Sequence, residues 1–148
     1  MQAVAAELRS EVDAAVPRLR TLDEAAASAT RGAGTWVRKE VLGHLIDSAA
    51  NNQQRFVRAP FENPFVWPGY EQDAWVAAHR YRDRSWTELV DLWASSNRHL
   101  AYAIESVPAS ALERPCRIGN NEPVTLEWLM RDYLRHLRHH LAQILSST

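Results

Sequence analysis

With 148 residues, 46% of them apolar and 24% charged, the chain has the length and balance of one folded domain spanning residues 1–148, which argues against disorder. A net charge of −1, with basic and acidic residues interleaved and no basic block, argues against a nucleic-acid partner. No apolar run is long enough to span a membrane and the opening MQAVAAELRSEVD carries no signal-peptide stretch, so the expected setting is the cytoplasm, away from membranes.

In chain order, Val4, Leu8, Val12, Ala15, Leu19, Leu22 and Ala26 recur at steps of three and four and predict a first helix ending near Arg31-Gly32. Pro17 should kink or interrupt it, because proline removes a backbone donor. A second helix is expected from about Trp36 to Ala59, with Thr35 as N-cap and Pro60 as its stop. Its inward arc holds Val37, Val41, His44, Leu45, Ser48, Asn52 and Phe56. Residues 60–85 form a long connection with a short helix around Asp73 to His79. Its aromatic residues (Phe61, Phe65, Trp67, Tyr70, Trp75) suit a pocket wall, a dimer interface or a lid over the core.

Ser85-Trp86-Thr87-Glu88 reads as a capping box opening a third helix, carried by Leu89, Leu92, Trp93, Ser96, Leu100 and Ile104 and closed at Val107-Pro108. An irregular stretch follows, with a small hairpin turn at Gly119-Asn120. Thr125 then caps a last helix bearing Leu126, Leu129, Met130, Tyr133, Leu134, Leu137, Leu141 and Ile144. Four amphipathic helices with a long crossover between the second and third predict an all-α four-helix bundle, and no segment reads as a sheet. Cys116 is the single cysteine, so there is neither a disulfide nor a thiolate zinc site, and a partly buried loop thiol is expected.

Bundles build metal sites from inward-facing side chains on different helices. With Leu137 at the centre of the last helix's buried face, a rotation of about 100° per residue puts His140 roughly 60° away and His136 roughly 100° away on the same flank. His139 falls about 160° away, towards solvent. His44, on the buried arc of the second helix, could supply a third imidazole. Three nitrogens would leave coordination positions open, as catalytic sites do, and imidazoles suit zinc, nickel, iron or copper. Periodicity alone leaves a plainer alternative open: a chance H-x-x-x-H pair, and a core histidine satisfied by a hydrogen bond. The polar run Ser48, Asn51, Asn52 and Arg55, with Asn97 on the third helix, suggests either a wet cavity or a fraying helix end.

The segments WVRKEVLGHLIDS (residues 36–48), GYEQDAW (69–75), LVDLWASSNRHL (89–100) and DYLRHLRHHLAQI (132–144) resemble, in order and spacing, the DinB-like or YfiT-like superfamily. Val37 departs from the Ser or Thr that many members carry after the tryptophan, which leaves Thr35 as the candidate cap. The resemblance implies a four-helix bundle, often a homodimer, with a divalent transition metal, foremost zinc or nickel, on His44, His136 and His140. It does not imply DNA binding.

Relatives in that family include enzymes using low-molecular-weight thiols such as bacillithiol or mycothiol, and proteins labelled metal-dependent hydrolases. The leading expectation is therefore a metal-dependent enzyme that activates a small thiol for S-transfer to a small-molecule substrate. The alternatives are hydrolysis by activated water, or a metal-stabilised bundle that binds a ligand without turnover. Asn51, Arg55, Asn97 and Tyr70 are the candidate substrate-binding residues, with Asp47 a further pocket candidate. No general base or other catalytic residue is assigned.

Overall fold

A computed structural model of the chain describes residues 1–146. Four long helices make the bundle: α1 (Gln2–Leu19), α3 (Arg38–Arg58), α5 (Trp86–Glu105) and α6 (Leu126–Leu145). Between them lie α2 (Glu24–Ser28), α4 (Gln72–His79) and three short strands, β1 (Phe65–Trp67), β2 (Pro115–Ile118) and β3 (Val124–Thr125). α1 packs on α5 and α6, and α3 packs on α5 and α6. The interior is filled by Leu8, Leu42, Leu45, Phe56, Trp93, Leu100 and Met130, among others. Each side chain of this size contributes about 1.5–3 kcal/mol on burial, so the apolar stripes of the four helices hold the bundle together.

The first stripe holds, but the segment divides. α1 runs through Pro17 to Leu19 without interruption. The donor that proline lacks would have met the carbonyl of Asp13, an exposed position where water can take its place. After Leu19 the chain turns, and the Asp23 carboxylate accepts from the Ala26 amide at 2.7 Å to start α2.

α3 begins at Arg38 with Val37 at the N-cap position, not Thr35. Thr35 spends its hydroxyl on the Gly32 carbonyl, at 2.9 Å. Valine has no side-chain acceptor, and the compensation comes from Glu40, whose carboxylate accepts the Val37 backbone N–H at 2.9 Å. α5 and α6 start where their caps predict. Ser85 Oγ accepts from the Glu88 amide, and Thr125 Oγ1 accepts from the Trp128 amide at 3.1 Å.

The small sheet corrects the sheetless expectation. Its order is β1-β2-β3, with β1 parallel to β2 (Phe65 opposite Cys116) and β2 antiparallel to β3 (Cys116 opposite Val124). Strands of two to four residues are too short to show a period of two. They join the crossover after α3 to the chain entering α6. Cys116 is thus a fully buried strand residue rather than a loop thiol, and burial pushes its pKa up to about 11. It is poorly suited to act as a nucleophile.

Two contacts set α3 against its neighbours. Arg38 donates from Nε to the Ile144 carbonyl at 2.8 Å, satisfying a last-turn acceptor of α6. Lys39, the chain's one lysine, is buried against Glu24 and donates to the Arg82 carbonyl at 3.1 Å. Arg38 therefore ties α3 directly to the helix that carries His136 and His140.

Candidate metal centre

His44 projects from α3, and His136 and His140 from successive turns of α6. His44 Nε2 lies 3.1 Å from His136 Nε2, which lies 3.1 Å from His140 Nε2. All three donor atoms fall within 4.8 Å of one another. His44 is only 2% exposed, and the other two rings are half-buried. His139 points outward, as the helical rotation predicts.

Burial, then the neighbouring imidazoles, lowers the pKa of His44 to about 4. His136 is lowered to about 4 by burial first and His140 next, and burial also lowers His140. Near neutral pH all three rings are uncharged, with lone pairs available. Gln143 Oε1 lies 2.8 Å from His140 Nδ1; accepting a proton there, it leaves the lone pair on Nε2, facing the cluster. The Nδ1 atoms of His44 and His136 are buried without a partner among the described residues.

The donor set fits a shared cation. Nitrogens 3.1 Å apart, each about 2.0–2.1 Å from an ion, would subtend about 95–102°, between octahedral and tetrahedral angles. A proton could bridge one pair of these nitrogens at a time, whereas a metal ion can take all three.

Two cavities reach the cluster. One, of about 520 Å³, is walled by Arg31, Trp36, Gln72, Asp73, His140 and Gln143. The other, of about 200 Å³, is walled by His44, His136, Ser48, Asn52, Arg55 and Tyr70, with Asp132 and Tyr133 opposite on α6. Trp36 packs against His44 with ring centroids 5.2 Å apart.

The candidate substrate-binding residues separate into two groups. Arg55 and Tyr70 line the smaller cavity. Asn51 and Asn97 line neither. Asn51 Nδ2 donates to the Asp47 carbonyl one turn back, and the wholly buried Asn97 donates to the Trp93 carbonyl. Asn97 Oδ1 also accepts from the Tyr133 hydroxyl, so it sits behind a cavity residue.

Asp47 is likewise no cavity residue. Its buried carboxylate accepts from Tyr81 Oη at 2.7 Å and lies 3.0 Å from His79 Nδ1, holding the crossover onto α3. Burial raises its pKa. Gln143, Trp36, Gln72 and Tyr133 were not singled out as site residues. For the first two, the signal was their place within the same short segments as the histidines.

The DinB superfamily profile matches residues 5–144. A relative from Halalkalibacterium halodurans, named as a metal-dependent hydrolase, is 26% identical over 124 residues, covering 84% of this chain and 72% of its own length. The structure of YfiT from Bacillus subtilis, described as a metal-dependent hydrolase with an unusual four-helix bundle topology, superposes with a TM-score of 0.82. It is 20% identical and covers 97% of this chain and 83% of that one. In both relatives the hydrolase assignment is itself an inference. The match over nearly the whole chain and the shared bundle agree: this chain belongs to the DinB superfamily.

Proposed function

We propose that the protein is a metal-dependent hydrolase of small molecules, with its ion held by His44, His136 and His140. The observation that carries this reading is the convergence of three neutral imidazole Nε2 atoms from two helices, at 3.1 Å steps, beside cavities open to small molecules. Three imidazole donors suit zinc, nickel, iron or copper, and the family resemblance puts zinc or nickel first. When bound, such an ion supplies Lewis acidity that favours the deprotonated form of a water or thiol reaching its open positions.

The protein groups bind and orient. Gln143 holds His140 in the ligating tautomer. The Trp36 ring covers one side of His44 and keeps water from that face. Arg55, Tyr70 and Ser48 offer hydrogen-bonding groups along the smaller cavity. Hydrolysis is favoured over thiol transfer because it matches the names of the relatives, whereas no residue of the site is specific for a thiol.

The test is a panel of activated esters and amides given to zinc- and nickel-loaded protein, with parallel arms pairing small thiols with electrophiles. Turnover without thiol is expected. His136→Ala should lose more than the about 10–100-fold typical of removing an outer partner of a ligand. Product formed only when a thiol is present would instead establish the transferase. Stoichiometric metal with turnover in neither arm would leave a binding bundle.

A further inference from the structure

Several arginines pair with carboxylates, among them Arg58 with Glu62, and Arg138 with Glu7 and Glu11. Arg55 does not. Its guanidinium is half-buried and makes one hydrogen bond, from Nη1 to Asn52 Oδ1 at 3.3 Å. Its Nε is buried without a partner, and no carboxylate among the described residues lies within ion-pair reach. Burial lowers its pKa, yet a guanidinium stays charged under ordinary conditions, so a largely unpaired cation faces the cavity. Buried charge of this kind is costly unless a counter-charge meets it.

The cavity has what a counter-charge needs. Tyr70, Ser48 and Asn52 add hydroxyl and amide groups around the guanidinium, and His44 and His136 form part of the same wall. Asp132, a carboxylate on that wall, is engaged by Arg135. A volume of about 200 Å³ admits a small oxyanion and a few further atoms. Arg55 lies in the last turn of α3, where a cation is favoured by the helix dipole. That role does not require an inward direction, since Arg58 in the same turn meets Glu62 while exposed.

We infer that the smaller cavity is an oxyanion subsite, in which Arg55 binds a carboxylate or phosphate group on the molecule that this site takes. The substrate class is then an anionic small molecule, anchored at the guanidinium with its reactive bond towards the three histidines. This deepens the proposed function and rests on it for the word substrate. The anion subsite itself stands on Arg55 and the cavity.

The test is calorimetric titration of the metal-loaded full chain with inorganic phosphate and, separately, acetate at neutral pH. Wild type should bind one of them, and the tighter one identifies the oxyanion. Arg55→Gln should weaken that binding about tenfold or more, the loss expected for charge-assisted hydrogen bonds. Arg58→Gln, on the surface, should leave it unchanged. His140→Ala, whose ring lies outside this cavity's wall, should keep the Arg55-dependent binding while losing metal, so failure of the metal reading and failure of the subsite give different results. No binding by wild type, or equal binding by Arg55→Gln, overturns the subsite.

Discussion

Gln143 touches no shared point of the histidine cluster, yet it decides what His140 offers there. By accepting at Nδ1, it keeps the Nε2 lone pair facing His136. Gln143→Ala should lower metal affinity by about 10–100-fold with the helical fold retained, while Gln143→Glu, which still accepts, should restore most of the loss. Competition with a chromophoric chelator measures both, and unchanged affinity in Gln143→Ala would remove the residue from the site. At this scale the clustering of the rings was legible in part, because helical rotation separates His136 and His140 from His139. The supporting polar residues were less so. Asn51, Asn52 and Asn97 all return their amides to a carbonyl four residues back, at 2.9 Å each. A polar residue satisfied by its own helix can line a dry wall as well as a wet one, and sequence does not separate the two. Asn52 and Arg55 both line the smaller cavity, and only Arg55 brings a charge to it.

Among the elements, α4 and the turn at Tyr81–Asp83 are held against α3 by a fitted contact. A Cβ on Gly43 would stand 2.1 Å from the nearest Tyr81 ring atom, so the glycine is there for close approach. The ring lies over Gly43, and its hydroxyl reaches Asp47, one turn along the same helix. Gly43→Ala should cost about 1–3 kcal/mol by overpacking, read as a lower urea midpoint, and an unchanged midpoint would mean the crossover shifts freely. The long helices and their caps at Ser85 and Thr125 were legible because cap and stripe agree. Gly43, sitting in the helical run beside His44, gave no sign of the ring it accommodates, because its partner lies 38 positions away in the crossover. Of the strands, β2 and β3 pair across the hairpin turn expected at Gly119-Asn120, whereas β1 escaped because it pairs with β2 from about 50 residues away.

Taken as a whole, the molecule is a bundle in which α3 and α6, the helices that carry the clustered histidines, are locked in register from outside the site. Arg38 bonds the end of α6, Glu40 caps the start of α3, and the sheet fixes the chain entering α6. The cluster is therefore built by packing that exists independently of any ion, and removing one ring should leave the fold intact. Among the described residues no helix is long and apolar enough to cross a membrane. The most direct measurement is of cobalt binding, by stoichiometry and visible spectrum, for wild type and His44→Ala with circular dichroism alongside. One equivalent per chain with a three-imidazole spectrum, lost in the variant while helicity is unchanged, is the predicted result. No stoichiometric cobalt in wild type, or the same binding after His44 is removed, would contradict the shared site on which the account depends.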